Sequence, residues 1–418
     1  MRLLFVLFCL FGLITATVAQ DDDDTPSPVP LVDEYGDDII NILLLGSDTF
    51  NPQNSGRTDV LLIVSVNRTA NTVALLSLPR DLYVYIPGWH TYRINSAYGY
   101  GEQIQAGRGP DLLIETIRYN LGLEIDHYAR VDFVGFKQLV DAVGGVEISV
   151  DCAIQDWRLL APDLAPSAEE NWTMFTLPVG VHHMNGDLAL WYVRSRRTSS
   201  DFDRGRRQQD MLRALWWRVS DLGLAQQVPE IWGQLAEITD TDLTVEDMIG
   251  MLPIALQLDN TRLSAFRLEQ NRHTRSSYTE KGESVQVPIH DEIAALLQDM
   301  MIPPTANQLI SEFADVEIIN ATGIQDMGRV AADRLAWEGF NTSLATEIPP
   351  PQRYTTIYDY TGQRKGSRLD ALQSVLRVSD EGVIRDPQAD RAVDYRIVLG
   401  SSYYACTYNV MPPESDAD

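Results

Sequence analysis

Three continuous apolar runs near the start of the chain restrict the fold more than any other feature. Residues 39–45, 59–66 and 72–78 each have the length of a β-strand and carry almost no charge. Such runs indicate strands that are buried on both faces, as in a sheet covered by helices on both sides. Residues 67–71 form a short turn, so the second and third strands are predicted to be antiparallel neighbours.

Helical patterns alternate with further strands along the first 258 residues. Pro110 opens one helix, where its missing N–H costs nothing, and Asp132 caps another that stops at Gly144. Additional strands are expected at residues 128–131 and 146–150. The other helices of this part are expected at residues 203–222, 228–238 and 244–258, the last beginning with the capping box Thr244-Val-Glu-Asp247. This alternation predicts an α/β domain with a mixed central sheet.

Four stretches give weaker signals. Residues 151–176 show little periodicity and are interpreted as an insertion or lid, and residues 271–283 are interpreted as a polar loop. Residues 188–193 form an apolar, strand-like run preceded by a helix cap at Asn185. His182 and His183 fall in a predicted turn without zinc spacing, so we expect a surface role for them.

The two ends of the chain differ from this pattern. A positive charge, an apolar run and a small-residue ending favour an export signal at residues 1–19, with an uncleaved membrane anchor as the alternative. Either interpretation places the rest of the chain outside the cytoplasm. The remaining expected units are an acidic, Pro-rich tether at 20–38, an α/β domain at 39–258, a connector at 259–310, a small second α/β domain at 311–405 and an acidic tail at 406–418.

Charge and cysteine content narrow the range of partners. A net charge of -26 argues against a nucleic-acid-binding protein and against loose adsorption to an anionic membrane surface. Outside the cytoplasm Cys152 and Cys406 could form a disulfide, although spacing alone does not show that they are close.

One short segment opposes the overall acidity. Residues 191–209 contain six arginines: Arg194, Arg196, Arg197, Arg204, Arg206 and Arg207. A solvated helix face is the ordinary explanation of a charge run. Here, however, the arginines follow an apolar element, and binding groups often lie at the ends of core elements. Guanidinium groups bind phosphate oxygens in a bidentate manner, so we interpret the segment as an anion site.

Three strand ends carry further charged groups. Asp48 follows the first strand, Arg57 and Asp59 introduce the second, and Arg80 follows the third. Because the second and third strands are antiparallel, Asp59 and Arg80 are expected side by side. Two carboxylates together with several guanidiniums form the set that a magnesium-assisted diphosphate site requires.

The chain resembles the LytR–CpsA–Psr (LCP) family of cell-wall glycopolymer ligases over about residues 39–258, and its end resembles the small LytR C-terminal domain often fused to them. The motifs that carry the resemblance are Leu43-Leu-Leu-Gly-Ser-Asp48, Arg57-Thr-Asp59, Leu75-Leu-Ser-Leu-Pro-Arg-Asp81, Arg93-Ile-Asn95, Val131-Asp-Phe-Val-Gly-Phe136, Asp141-Ala-Val-Gly-Gly-Val-Glu-Ile148, Tyr192-Val-Arg-Ser-Arg196 and Arg204-Gly-Arg-Arg-Gln-Gln209. The resemblance implies a three-layer α/β/α fold with a hydrophobic channel for a polyprenyl tail. It also implies transfer of a glycopolymer phosphate from a polyprenyl diphosphate donor to a cell-wall acceptor sugar, usually in peptidoglycan, at the outer face of the cytoplasmic membrane or in the wall.

Residue roles follow from the motif positions. By resemblance, Mg²⁺ is held by Asp48 and Asp59. The residues implied to bind the diphosphate are Arg80, Arg194, Arg196, Arg204 and Gln208. Arg57 is implied to orient Asp59 or contact phosphate, and Asp201 to support the arginines or activate the acceptor hydroxyl. The helices at 133–143 and 212–224 are candidates to line the tail channel, although such apolar faces are more often ordinary core.

Two alternatives remain at this point. One is hydrolysis of the same polyprenyl-diphosphate-linked glycans, with water as the acceptor. The other is a non-catalytic protein that binds lipid or wall glycan.

Overall fold

The computed structural model describes residues 25–48, 58–161, 163–224, 236–260, 262–303, 314–347, 349–363, 367–406 and 410–413. The export segment, Arg57 and most of the helix predicted at 228–238 lie outside these ranges. In the described part of the chain, no helix is both long enough and apolar enough to cross a bilayer.

The strands are β1 (Ile39–Ser47), β2 (Thr58–Asn67), β3 (Thr72–Ser77), β4 (Tyr83–Tyr85), β5 (Thr91–Arg93), β6 (His127–Asp132), β7 (Val146–Val150), β8 (Ile154–Leu159), β9 (Trp172–Leu177), β10 (Gly180–Met184), β11 (Thr239–Thr241), β12 (Leu263–Arg267), β13 (Thr274–Tyr278), β14 (Ser284–Pro288), β15 (Asp315–Asn320), β16 (Asn341–Leu344), β17 (Thr356–Asp359), β18 (Val383–Arg385) and β19 (Tyr395–Leu399). The α-helices are α1 (Ser96–Ile104), α2 (Gly109–Leu121), α3 (Phe133–Ala142), α4 (Gly186–Arg194), α5 (Asp201–Asp221), α6 (Val245–Gln257), α7 (His290–Met301), α8 (Met327–Trp337) and α9 (Leu369–Leu376).

A six-stranded mixed sheet is the centre of the first domain, in the order β11-β6-β1-β2-β3-β12. The predicted antiparallel pairing of β2 with β3 is confirmed, and β1 is antiparallel to β2 and parallel to β6. Helices cover both faces. Leu43 and Leu45 point into a core with α1, α2 and α7, whereas Ile42 and Val66 pack with α6 on the other side. Alternate residues are therefore buried on opposite faces, which explains the continuous apolar runs and confirms the three-layer α/β/α class.

The second domain has its own five-stranded sheet, in the order β16-β15-β19-β17-β18, and its own core with α8 and α9. The second α/β unit expected after residue 311 is thus present. Strand β18 has a weak sequence signal, because Val383–Arg385 is only three residues long and two of the three are exposed.

The helix caps predicted from the sequence are confirmed. The side chain of Asp132 accepts a hydrogen bond from the N–H of Gly135 at 2.8 Å, and Thr244 and Asp247 form the predicted capping box. The strand-like interpretation of residues 188–193 was wrong, because they belong to α4, whose cap is Asn185 as expected. A short apolar run does not distinguish a buried strand from a buried helix.

Several segments expected to be irregular are strands. Residues 151–176 contain the antiparallel hairpin β8–β9, and the predicted loop 271–283 contains β13, paired with β14. His182 and His183 lie in β10, which pairs with β7, and not in a turn. The expected connector 259–310 supplies β12 to the central sheet through parallel pairing with β3. Strand β12 depends on a partner far away in sequence, so its own residues carry a weak signal.

The segment before β1 is not a free tether in its described part. The N–H groups of Val29 and Val32 donate to the carbonyls of Tyr119 and Gly122 at 3.0 Å and 2.9 Å. Val32 also packs against the first core. These contacts attach the otherwise largely exposed segment to the C-terminal end of α2 at two points, so it is solvated but not free there.

Cys152 and Cys406 form a disulfide across 254 residues of sequence. Cys152 follows β7 of the first domain and Cys406 follows the last strand of the second. The open question of their pairing is therefore answered, and the bond joins the two domains covalently.

Candidate functional site

Asp59 and Arg80 lie together at one edge of the central sheet. Asp59 Oδ1 accepts a hydrogen bond from Arg80 Nη1 at 2.6 Å. Both side chains lie at the outer ends of β2 and β3, as the antiparallel pairing predicted. Burial by itself would lower the pKa of Arg80, but the bond to Asp59 and the nearby Asp201 carboxylate raise it. Arg80 is therefore a permanent cation at this edge.

A β-bulge sets the position of Asp59. Gly46 pairs with Val60 but Ser47 pairs with Thr58, so Asp59 is the extra residue on β2. A Cβ on Gly46 would lie 2.8 Å from a methyl carbon of Val60, which requires glycine at this close approach. Bulges redirect side chains at sheet edges, and this one places Asp59 beside Arg80 and not in the regular ladder.

Asp201, the first residue of α5, holds three guanidiniums. Its carboxylate is 3.1 Å from Arg204, 3.7 Å from Arg196 and 3.8 Å from Arg80. Burial alone would raise the pKa of Asp201, but Arg204 and Arg80 lower it below its usual value. Desolvation lowers the pKa of the buried Arg204, and the neighbouring Arg80 and Arg196 contribute to this. Three guanidiniums therefore converge on one carboxylate, which concentrates positive charge at the first turn of α5.

Close contact between α5 and the sheet brings these groups to Arg80. Ser77 Oγ donates to the carbonyl of Gly205 at 3.2 Å, and a Cβ on Gly205 would lie 3.1 Å from the Ser77 Cβ. The side chain of Ser200 caps α5 by accepting a hydrogen bond from the N–H of Asp203 at 3.2 Å. The first turn of α5 therefore rests on the end of β3.

Arg194 approaches the cluster from the end of α4. Its guanidinium lies 4.1 Å from the centroid of the Phe133 ring. Desolvation lowers the pKa of Arg194, whereas the nearby Asp59 and Asp48 carboxylates oppose this shift. Asp48 itself is exposed just beyond β1. Both predicted metal-binding carboxylates thus lie near one arginine.

Arg206 and Arg207 do not belong to this cluster, so the interpretation of all six arginines as one anion site was wrong. Arg206 pairs with Asp151 at 3.1 Å and with Asp203 and Asp210 at 3.0 Å. On α5, Arg204 and Gln208 share one face, whereas Asp203, Arg206 and Asp210 share another. The Asp residues at spacings of three and four from Arg206 were a readable signal of internal pairing.

Arg207 is completely buried and supports the loop between α4 and α5. It donates to the carbonyls of Tyr192 and Ser195, and to Ser199 Oγ at 2.9 Å. It also pairs with Asp203 at 3.2 Å. This arginine shapes the segment that carries Arg194 and Arg196.

Two acidic residues at the site were missed as candidates. Asp156 on β8 accepts hydrogen bonds from the backbone N–H groups of Arg196 and Arg197 at 2.8 Å and 3.3 Å. Burial raises the pKa of Asp81, although Arg80 at 3.7 Å opposes the shift, and the neighbouring Asp201 carboxylate adds to the effect of burial. Asp81 was itself part of a quoted motif but was given no role, and nothing local indicated the role of Asp156.

An apolar pocket of about 530 Å³ opens beside the cluster. Helices α3 and α5, the two candidates for lining a tail channel, contribute to its wall together with α4 and the β8–β9 hairpin. Its lining includes the apolar side chains Phe136, Leu139, Trp172, Leu190, Leu212 and Leu215. Asp59, Arg194, Arg204 and Gln208 lie at its polar end. Gln208 Nε2 donates to the carbonyl of Val193 at 3.3 Å, which orients its amide.

An open groove of about 510 Å³ adjoins the same cluster. Asp156, Arg196, Ser199 and Asp201 line it together with Trp157, whose residue surface is 50% exposed. The structure therefore brings Asp48, Asp59, Arg80, Arg194, Arg196, Asp201, Arg204 and Gln208 to one site between a pocket and a groove. Arg57 lies outside the described residues.

Comparison with models of protein families shows which family this chain belongs to. Residues 6–301 match the model of the LytR_cpsA_psr family. The chain belongs to the LytR–CpsA–Psr family. Residues 314–403 match a second model, described as LytR cell envelope-related transcriptional attenuator, so this family member also carries the LytR C-terminal domain that its sequence resembled.

Curated relatives of this LCP-family chain include two proteins named as polyisoprenyl-teichoic acid–peptidoglycan teichoic acid transferases. TagT of Bacillus subtilis is 29% identical over 229 residues, which are 53% of this chain and 66% of TagT. TagU of Oceanobacillus iheyensis is 32% identical over 217 residues, which are 51% of this chain and 62% of TagU. The chain thus spans less than two thirds of the length of these relatives.

A solved structure supports the fold. Bacillus subtilis TagV matches with a TM-score of 0.52 and 24% identity, covering 63% of this chain and 98% of TagV. This likeness concerns the three-layer architecture of the family.

Proposed function

We propose that this LCP-family protein transfers a glycopolymer phosphate from a polyprenyl diphosphate donor to a hydroxyl of a cell-wall glycan. One observation carries the proposal: a cluster of guanidiniums lies at the polar end of an apolar pocket. A diphosphate attached to a long hydrocarbon tail matches both halves of this site. The names of the relatives TagT and TagU support the same class of reaction.

The arginines supply the electrostatic part of the reaction. The acceptor oxygen forms a bond to the phosphorus that carries the glycan, and the bond from that phosphorus to the bridging oxygen breaks. Polyprenyl monophosphate leaves with the electron pair of the broken bond. Arg80, Arg194 and Arg204 face the place where this charge grows, and they stabilise it without a covalent intermediate.

The acceptor is proposed to enter through the open groove. In-line displacement requires the attacking oxygen to lie opposite the leaving group. The tail pocket holds the leaving group, so the groove beside Asp201 and Trp157 is the remaining approach to the cluster. Asp201 lines this groove and accepts the hydroxyl proton late in the reaction, while its ion pairs keep the arginines in place.

The carboxylates at the site supply part of the ligand set that Mg²⁺ requires. Among the described residues no group of three or more His, Cys, Asp or Glu side chains is arranged to hold a metal ion. Mg²⁺, however, takes one or two carboxylates together with phosphate oxygens and water. Asp48 and the Asp59 oxygen that Arg80 leaves available would hold it once the diphosphate is bound. There it would neutralise phosphate charge.

The proposed location is the outer face of the cytoplasmic membrane or the cell wall. The interdomain disulfide supports an oxidising compartment, as does the export-type sequence at residues 1–19. A membrane-embedded donor and a wall acceptor meet at this location.

Mass spectrometry of a defined reaction tests the function. The purified protein is mixed with a synthetic polyprenyl-diphosphate disaccharide, Mg²⁺ and a muramyl-containing acceptor. Acceptor–phosphate–sugar and polyprenyl monophosphate are expected in equal amounts. Sugar phosphate formed at the same rate without acceptor would replace the proposal with a hydrolase, and binding without turnover would indicate a non-catalytic protein.

A further inference from the structure

A line of buried ion pairs connects the second domain to the anion cluster. Arg334 of α8 lies 3.4 Å from Asp151, and Asp151 lies 3.1 Å from Arg206. Arg206 is 3.0 Å from Asp203, which is 3.2 Å from Arg207. Consecutive members share a carboxylate or a guanidinium, so the line is continuous from α8 to α5.

The line ends at the loop that carries Arg196. Arg207 donates to the carbonyl of Ser195 and to Ser199 Oγ, and it has no exposed surface. The loop between α4 and α5 therefore has its conformation fixed from below by Arg207 and from the side by Asp156. A displacement of Arg207 would displace Arg196 with it.

The side chains of the ion pairs at the joint between the domains are largely buried. The side chains of Asp151, Arg206 and Arg334 are only 11%, 10% and 12% exposed. Charges in such a place interact more strongly than charges on the surface, and the loss of one partner leaves the other buried and uncompensated. The disulfide from Cys152 holds the residue next to Asp151 against the second domain.

We infer that the second domain is a positioning element of the active site. Arg334 sets Asp151, which orients Arg206, and through Asp203 and Arg207 this fixes the loop bearing Arg196. The inference rests on the proposed function, because it takes the anion bound at the cluster to be a diphosphate. The C-terminal domain is then more than a covalently attached unit, because it shapes the binding site.

Arg329 provides a matched control on the same helix. It also bridges the two domains, through an ion pair of 2.6 Å with Glu147, but this pair is largely exposed. Among the described residues, no hydrogen bond or ion pair joins Arg329 to a member of the line from Arg334 to Arg207. Exposed pairs contribute little, so Arg329→Gln removes an interdomain pair without disturbing the line to Arg207.

The experiment compares full-length Arg334→Gln and Arg329→Gln with the unmodified protein. Binding of geranyl diphosphate with Mg²⁺ is measured by calorimetry, and transfer is measured with the synthetic donor and acceptor. Arg334→Gln is expected to weaken diphosphate binding about tenfold and to lower kcat by a similar factor, and to raise the KM for the acceptor as well, because Arg196 lines the acceptor groove. Arg329→Gln is expected to stay within about twofold of the unmodified protein in every measurement.

Equal diphosphate binding by Arg334→Gln and the unmodified protein would overturn the inference. Failure of the unmodified protein to bind any diphosphate would instead refute the proposed function. Thermal unfolding of each variant shows whether the fold is retained. If Arg334→Gln does not fold, Arg334→Lys is used; it keeps the charge but not the planar fork, so intermediate binding is expected, and unchanged binding would overturn the inference.

Discussion

Asp59 and Arg80 form an ion pair of 2.6 Å although 21 residues separate them in sequence. Two separate features produce the contact: the antiparallel pairing of β2 with β3, and the bulge that removes Asp59 from the regular ladder. Arg80 is the guanidinium that reaches both this carboxylate and Asp201. The pair therefore links the sheet edge to the first turn of α5.

Replacement of Arg80 tests the electrostatic role of the cluster. Arg80→Ala is expected to lower kcat about 10²- to 10³-fold, because a group that stabilises developing charge typically contributes that much. Product formation is measured by mass spectrometry with the synthetic donor. Arg68→Ala is the control, since Arg68 forms an exposed pair with Asp38 at the opposite end of β2, and its rate should remain within about twofold. Equal rates for the two variants would contradict the assignment of Arg80.

Filling the apolar pocket tests the site of the tail. Leu139 lines the pocket, so Leu139→Trp should raise the KM for a long polyprenyl donor about tenfold. A two-isoprene donor, which needs little of the pocket, should be affected by less than about threefold. Leu256→Trp, on an exposed position of α6, should change neither value. An equal rise in the KM for the long donor and for the two-isoprene donor would indicate general damage to the protein and not a tail site.

Asp210 predicts a pH dependence of stability. Burial raises the pKa of Asp210 to about 6, although Arg206 and Arg213 oppose the shift and Asp333 and Asp151 add to it. Because the folded pKa lies above the unfolded value of about 3.9, the stabilising contribution is present below pH 4. It is lost as the pH rises through about 6.

The comparison with Asp210→Asn isolates this contribution. The free energy of unfolding of Asp210→Asn minus that of the unmodified protein should increase by about 2–3 kcal/mol between pH 4 and pH 7. Urea unfolding of both proteins at a series of pH values measures this difference. The contributions of groups that titrate alike in both proteins cancel in it. A difference that does not vary with pH would show that Asp210 titrates normally.

The disulfide predicts a redox-dependent stability. It closes a loop of 254 residues, and a loop of that size corresponds to about 5 kcal/mol in the chain-entropy model. Reducing agent should therefore lower the Tm of the unmodified protein by several degrees. The double variant Cys152→Ser/Cys406→Ser should unfold at the lower temperature with or without reductant. A Tm that reductant leaves unchanged would mean that the bond is absent from the purified protein.

The sequence by itself determined the parts that depend on local patterns. The apolar runs that became β1, β2 and β3 follow from burial on both faces, and the caps at Asp132, Asn185 and Thr244 follow from hydrogen bonds within three residues. The antiparallel pairing that brings Asp59 near Arg80 also follows from one short turn, whereas the bulge that completes the contact is visible only in the structure. The family motifs located the remaining candidates, because their residue types and order are specific.

The spacing of the Asp residues around Arg206 indicated its internal pairing, but the tertiary structure decided which of the other arginines face the anion site. Arg204 and Arg206 are two residues apart on α5, about 200° around the helix, so one faces the pocket and the other faces Asp151. Partners far away in sequence, such as Asp156 on the β8–β9 hairpin, determine the shape of the loop between the helices. The sequence fixes the charges, but long-range packing determines which charges neutralise one another and which remain for a ligand.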